Sequence, residues 1–149
     1  MDLTMGNGLD TLFLAQRFRQ VTAIEIQAEA VARFRPPANV TVLNMDHSKI
    51  EGLNIEPEVA VYNLGYLPGH DQGIRTRAET TIRSLEIILQ RLKNGGFVLA
   101  ALYYGHDQGE EGKAVLDYLS RLPGRFGVIH HQFINRTNYP PSLVVIEKR

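Results

Sequence analysis

The sequence predicts an α/β fold in which a mostly parallel, doubly wound sheet ends in an antiparallel hairpin. Short β-branched segments alternate with amphipathic segments along most of the 149 residues, and this alternation is typical of a parallel sheet covered by helices on both faces. The last two apolar segments follow each other without a helix between them, which predicts the closing hairpin. The length fits one domain spanning residues 1–149.

Strands are predicted where β-branched and apolar residues form short runs. Val59–Leu64 is apolar enough to be buried on both faces, as central parallel strands are. Asp2-Leu3-Thr4 has the character of the end of a strand, so we expect a shortened first strand there, or a natural chain that begins upstream of Met1. The further predicted strands are Val21–Ile26, Val40–Met45, Phe97–Tyr103, Arg125–Asn135 and Ser142–Lys148.

Helices are predicted where apolar residues recur at spacings of three and four. In the longest helix these residues include Ile82, Leu85 and Leu89, and Gly95 follows as a suitable helix end. Pro36 stops a shorter helix earlier in the chain. The predicted helices are Leu9–Arg19, Ala28–Phe34, Thr76–Leu92 and Glu110–Leu122.

The composition argues against several classes of site. The chain has no cysteine, which excludes disulfides, thiolate zinc sites and cysteine nucleophiles. Neither H-E-x-x-H nor G-x-S-x-G occurs, so we expect no metal and no serine hydrolase. No run approaches the roughly 20 apolar residues of a membrane span, and the first residues do not resemble a signal peptide. We therefore expect a cytoplasmic protein without a membrane partner, and the zero net charge neither favours nor opposes nucleic acid.

Polar and glycine residues follow three successive predicted strands. Thr4-Met5-Gly6-Asn7-Gly8 follows the first, Glu25 ends the next, and Asp46 follows the third. Open α/β sheets bind ligands at this edge, where glycines allow close approach and a carboxylate can hold ribose hydroxyls. G-x-G-x-x-G is incomplete, because Thr11 occupies the third glycine position. The alternatives are an ordinary strand–helix turn for the glycine loop, an exposed carboxylate for Glu25 and a helix cap for Asp46.

The residues Asn63-Leu64-Gly65-Tyr66 end the fourth predicted strand and resemble the (N/D)-P-P-(Y/F) motif of nitrogen methyltransferases. An asparagine carbonyl can accept the hydrogens of an amine and aim its lone pair, and an aromatic ring can support a cationic methyl centre. His106, after the fifth predicted strand, is our candidate base, with His47 and His70 as alternatives. A strand-to-loop turn with a buried tyrosine remains the structural alternative.

Several segments together resemble the YtqB-like family of RNA methylases, within the class I, Rossmann-like methyltransferases. They are 2–15, 62–69, 79–81, 103–106, 132–135 and 140–141, with a Lys93–Gly96 turn similar to the L-K-P-G-G turn of that class. The resemblance implies S-adenosylmethionine as cofactor and tRNA as substrate, with methyl transfer to the amine of 5-aminomethyl-2-thiouridine at the wobble position. It is also compatible with a homodimer. Leu9 replaces a histidine, Glu25 replaces an aspartate, and relatives carry a helix and most of the first strand before the position of Asp2.

This interpretation assigns roles to particular residues. The predicted catalytic residues are Asn63, Tyr66 and His106. The predicted cofactor residues are Thr4, Gly6, Asn7, Gly8, Asp10, Thr11, Glu25, Gln27, Asp46, His47, Asn63 and Gly65. Arg75, Arg77 and Arg83 are predicted to bind RNA phosphates, with a solvated helix face as the alternative. The competing functions are methylation of rRNA or a small molecule, and a cofactor-binding pseudoenzyme.

Overall fold

The computed structural model describes residues 1–65, 75–105 and 107–149, and it contains the predicted mixed sheet. The strands are β1 (Val21–Glu25), β2 (Val40–Asn44), β3 (Val59–Leu64), β4 (Phe97–Leu102), β5 (Phe126–His131) and β6 (Ser142–Lys148). The β1–β2 and β3–β4 pairs are parallel, whereas β6 pairs antiparallel with both β4 and β5. The strand order β3-β4-β6-β5 places the predicted hairpin at one side of the sheet.

The N-terminal residues join the β1–β2 pair to the rest of the sheet. Asp2 donates its backbone N–H to the Thr22 carbonyl over 2.9 Å, and its own carbonyl accepts from Ile24 over 2.8 Å. On the other side, Leu3 donates to the Val61 carbonyl over 2.9 Å. Both bridges of Asp2 are parallel. This short segment is therefore the shortened first strand that the sequence predicts, and it lies between β1 and β3.

The fifth strand is shorter than predicted, because its partner strand begins too late to pair with the rest. His131 pairs with Leu143, which is only one residue after the start of β6. The following residues 132–135, predicted as strand, are exposed and lie outside the strand.

Four helices and one 3₁₀ helix connect the strands. They are α1 (Leu9–Ala15), α2 (Ala28–Arg33), the 3₁₀ helix His47–Gly52, α3 (Ala78–Arg91) and α4 (Glu110–Leu119). The first helix is shorter than predicted because Asn39 donates its side-chain amide to the carbonyls of Ala15 (2.8 Å) and Phe18 (3.0 Å). This contact satisfies carbonyls at the end of the helix. Within the described residues, no helix has the length and apolar character that crossing a membrane requires.

The sheet is covered on both faces. Ala23 and Ile24 of β1 belong to different apolar clusters, as do Val61 and Tyr62 of β3. Successive side chains of a strand point to opposite faces, so the two clusters lie on opposite sides of the sheet. Helices α3 and α4 contribute to one cluster, while α1 and α2 contribute to the other. This layering leaves the carboxyl ends of the parallel strands as the open edge.

Candidate functional site

A cleft of about 860 Å³ opens at the carboxyl ends of the N-terminal segment, β1, β2 and β3. This volume is in the range of small-molecule and cofactor sites. Its wall combines apolar side chains with polar groups from several elements. All the predicted cofactor residues except Gly8 and Thr11 line it, together with Leu3, Met5, Leu9, Ile24, Ile26, Met45, Leu64, Arg75, Thr76, Arg77, Thr80 and Tyr103.

The glycine loop before α1 brings backbone close to the cleft. Gly6 and Gly8 have φ angles of 53° and 81°, a conformation that glycine adopts without steric cost. Gly8 also lies against Phe34, since a Cβ atom at this position would be 2.2 Å from that ring. The loop can therefore follow this path only with glycine at position 8, and it leaves Gly6 and Asn7 at the cleft wall.

Glu25 at the end of β1 is an almost fully buried carboxylate, with 7% of its surface exposed. One carboxylate oxygen accepts the N–H of Gly6 over 2.8 Å, and the other accepts the N–H of Gln27 over 2.8 Å. These bonds fix the carboxylate between the glycine loop and the turn before α2. Each oxygen retains capacity to accept another hydrogen bond, so Glu25 is suited to hold two neighbouring hydroxyl groups.

Asp46 and His47 form the part of the cleft wall that follows β2. Asp46 accepts the N–H of Ser48 over 2.8 Å, so it caps the 3₁₀ helix as the alternative interpretation expected, and it also lines the cleft. Burial opposes ionisation of Asp46, but the bonds from Ser48 and the nearby charges of His47 and Lys49 outweigh it and lower the pKa of the carboxyl. Burial lowers the pKa of His47 despite the raising effect of Asp46.

The ring of His47 offers a test of whether this wall suits a polar ligand. Its Nδ1 atom is buried and has no hydrogen-bond partner among the residues described. The ring meets Tyr62 edge to face, with 6.1 Å between the ring centres. Buried polar atoms are normally paired. With Glu25 and Asp46 close by in the same wall, this donor and acceptor set fits a nucleoside-bearing cofactor.

Asn63 stands exposed at the end of β3 and is held from two sides. Its backbone N–H donates to the Thr4 hydroxyl over 2.7 Å, and its side-chain NH₂ donates to the carboxylate of Asp10 in α1. A carboxylate can only accept here, so Asp10 determines which way the amide faces. The carbonyl oxygen of Asn63 is turned away from Asp10 and has no partner within the described part of the chain. This free acceptor lies at the mouth of the cleft.

A buried network that the sequence did not reveal supports the residues after Asn63. Gly65 donates its N–H to the Thr76 hydroxyl over 2.7 Å, and that hydroxyl donates to Glu111 over 2.6 Å. The other carboxylate oxygen of Glu111 accepts from Thr81 over 2.7 Å, and only 2% of Glu111 is exposed. The sequence contains one signal that Glu111 is buried. It lies four residues before Val115, so it shares the buried face of α4.

Two predicted cofactor residues lie behind the cleft rather than in its wall. Thr11 is fully buried and donates its hydroxyl to Asp2 over 2.6 Å, so its side chain is not available to a ligand. Asp2 also accepts the backbone N–H of Thr4 over 3.2 Å. Gly8 provides the turn and begins α1. Thr11 and Gly8 thus support the loop and do not line the cleft, and their contact with the cofactor stays a prediction.

The remaining predicted residues divide into three groups. Arg75 and Arg77 line the cleft, whereas Arg83 pairs with Glu51 over 3.6 Å on an exposed surface outside it. Tyr66, His70 and His106 lie outside the described residues. Among the residues that are described, no three His, Asp or Glu side chains converge as a metal site requires.

Comparison with known proteins identifies the family. Residues 20–147 match the family described as "Putative rRNA methylase". A solved protein from Clostridium thermocellum described as a "putative rRNA-methylase" is 37% identical, with a TM-score of 0.93 over 99% of this chain and 87% of that one. A "putative methyltransferase" from Streptococcus mutans, solved in complex with SAH, is 36% identical, with a TM-score of 0.88 over 99% of this chain and 86% of that one.

A curated relative carries a more specific name. The chloroplastic tRNA (mnm(5)s(2)U34)-methyltransferase of Arabidopsis thaliana is 30% identical over 172 residues, which include all of this chain. The chain spans 62% of the length of that relative. The family match covers most of the chain, and the fold agrees with those of the solved relatives. The chain therefore belongs to the rRNA methylase family, a family of S-adenosylmethionine-dependent methyltransferases.

Proposed function

We propose that this chain transfers a methyl group from S-adenosylmethionine to the primary amine of 5-aminomethyl-2-thiouridine at the wobble position of tRNA. The observation that carries the proposal is the amide of Asn63, which Asp10 orients so that a free carbonyl oxygen lies at the mouth of the cleft. An amine is the acceptor that such an oxygen orients best. The name of the Arabidopsis relative, which is 30% identical to this chain over 172 residues, supports the choice of nucleoside.

The cleft residues can hold each polar part of the cofactor. Glu25 would accept hydrogen bonds from the two ribose hydroxyls, and Asp46 with His47 would face the adenine ring. The backbone of Gly6 and Asn7 would approach the remaining part of the cofactor. When bound, S-adenosylmethionine supplies an electrophilic methyl group on a positively charged sulfur.

The acceptor amine must present an unshared electron pair along the line of attack. The Asn63 carbonyl would accept one N–H of the amine and so restrict its rotation, which converts a loose encounter into an aligned one. Asp10 acts through Asn63 as a positioning residue, because it prevents the amide from flipping. Thr4 holds the backbone of Asn63 against the glycine loop over 2.7 Å. As the N–C bond forms, the nitrogen must lose a proton, and His106 stays our predicted base for that step.

The test is methyl transfer by the purified chain to tRNA that carries the aminomethyl group, read by mass spectrometry of the digested nucleosides. We expect a gain of one methylene at the wobble nucleoside and none on tRNA without the aminomethyl group. Transfer to rRNA or to a small amine, with none to this tRNA, would assign the competing substrate. Folded protein that binds SAH but transfers to no acceptor would indicate the pseudoenzyme.

Variants separate the role of Asn63, which would contact the acceptor, from that of Asp10, which positions Asn63. We expect Asn63→Ala to lower kcat by about 100-fold, the scale of losing a group that acts directly on a reacting centre. We expect Asp10→Ala to lower kcat by about tenfold, since Asn63 is still present but no longer held. Asn54→Ala removes an exposed asparagine outside the cleft and is the matched control. A full rate with Asn63→Ala would refute the mechanism while leaving the substrate assignment standing.

A further inference from the structure

Helix α1 and the turn after it present an unusual exposed face. Leu9 and Phe13 are apolar yet 77% and 53% exposed, and they lie four residues apart, on one side of the helix. Arg17 follows at the same spacing, with its guanidinium 3.6 Å from the centre of the Phe13 ring. We call these three residues the α1 ridge. An arginine packed on an exposed ring keeps a flat, positively charged surface open to the solvent.

The ridge begins at the proposed reaction site. Leu9 lines the cleft, and the next residue, Asp10, holds the amide of Asn63. From there α1 leads towards the start of β1, so the ridge extends from the cleft along the side of the protein to Arg17. A substrate too large to enter the cleft can extend along this side.

Several arginines lie around the ridge. Arg19 is exposed just after the ridge. A hollow of about 260 Å³ next to α1 is lined by Asn7, Leu12, Ala30, Arg33, Phe34 and Arg35. Exposed acidic side chains also lie near these arginines: Asp10, which accepts from Asn63, Glu29, which is 3.9 Å from Arg33, and Glu58, which pairs with Lys93 over 2.8 Å. Exposed pairs are weak, so the guanidinium groups of Arg17, Arg19, Arg33 and Arg35 can still bind phosphate groups.

We propose that the α1 ridge is a stacking platform for unpaired nucleotides of the RNA substrate that flank the methylated one. Unstacked bases pack on aromatic rings and on guanidinium planes, while nearby arginines bind the phosphates. The ridge combines these features in three residues. A stable protein dimer needs about 800 Å² on each partner, which three side chains on a short helix do not supply. The inference rests on the proposed function, because it requires an RNA substrate.

The experiment measures binding of a synthetic anticodon stem-loop carrying 5-aminomethyl-2-thiouridine to the full chain and its variants. We expect Phe13→Ala to raise the Kd for this RNA about tenfold, the scale of losing one stacked base. Arg17→Ala should raise the Kd by a similar factor. It should also lower the salt dependence of RNA binding by the amount expected for about one phosphate contact. Arg17→Lys should restore the salt dependence but not the affinity, since lysine has no flat surface for stacking. Arg121→Ala removes an exposed arginine beyond α4 and is the charge-matched control.

Calorimetric titration with SAH accompanies each variant. The Kd for SAH should stay within twofold of the wild-type value, because Phe13 and Arg17 do not line the cleft. Wild-type affinity for the RNA in both Phe13→Ala and Arg17→Ala, alongside normal methyl transfer, would overturn the ridge proposal and leave the proposed function intact. A change in sedimentation with these variants would assign the ridge to a protein contact and would also overturn it. If the wild-type chain bound neither modified nor unmodified RNA, the proposed substrate would fail together with the ridge.

Discussion

Replacing Glu25 with glutamine tests the cofactor site most directly, because it changes hydrogen bonding with little change in shape. The two carboxylate oxygens each accept a backbone N–H over 2.8 Å, from Gly6 and from Gln27. Glutamine has one acceptor oxygen, so one of these N–H groups would face an NH₂ group instead. A hydrogen bond to a charged group contributes about 1.5–3 kcal/mol. We therefore expect Glu25→Gln to lower the free energy of unfolding by about 2 kcal/mol.

The same substitution should weaken binding of the cofactor by a similar free energy. It removes a charged acceptor for a ribose hydroxyl, and about 2 kcal/mol corresponds to a roughly 30-fold increase in Kd. The assay is calorimetric titration with SAH, together with urea unfolding of the same protein. Glu29→Gln is the control, since this exposed glutamate is 3.9 Å from its partner and should contribute under about 0.5 kcal/mol. Folded Glu25→Gln that binds SAH within twofold of wild type would refute the role of Glu25.

Two further substitutions test the support of the glycine loop. Burial raises the pKa of Asp2 from 3.8 to about 6, so the folded state favours its protonated form. The resulting contribution to the unfolding free energy is about 3 kcal/mol. It is present below about pH 4 and is lost as the pH rises through about 6. Between pH 4 and 7 the wild type should therefore lose stability relative to Asp2→Asn, which does not titrate at this position. A difference in unfolding free energy that stays constant over this range would contradict the burial argument. Gly8→Ala should cost about 2–4 kcal/mol in urea unfolding, because a Cβ atom would lie 2.2 Å from the ring of Phe34 at a φ of 81°. Gly52→Ala, with no atom within 4 Å of its Cβ position, is the control, and equal costs for the two would contradict this view of the loop.

The position of the cleft could be predicted from the sequence because it depends on local features. Apolar periodicity placed the strands, and polar residues at their ends had to meet at one edge of a parallel sheet. Glu25, Asp46 and Asn63 follow three different strands, and the structure brings all three into the cleft wall. The resemblance to the family gave the cofactor, and a 36% identical relative was solved with SAH, the demethylated form of that cofactor.

The contacts that orient those residues could not be predicted, because they join positions far apart in the chain. Asp10 meets Asn63 across 53 residues, and Glu111 meets Thr76 across 35. No periodic pattern encodes such pairs, since each depends on how α1 and α4 pack beside β3. Arg83 shows the opposite outcome: it follows a loop near the cleft in the sequence, but α3 carries it to Glu51 outside the cleft.

The sequence by itself determined the element order, the hairpin, the edge of the sheet at which the cleft opens and the polar residue types that line it. These follow from hydrophobic period, turn residues and side-chain chemistry, which act over a few positions. Only the tertiary structure decided that Asp2 completes the centre of the sheet, that Thr11 supports it from behind, and that Asn63 keeps a free carbonyl at the cleft. Those outcomes depend on burial and on pairing between distant elements, which exist only once the helices have packed on both faces of the sheet.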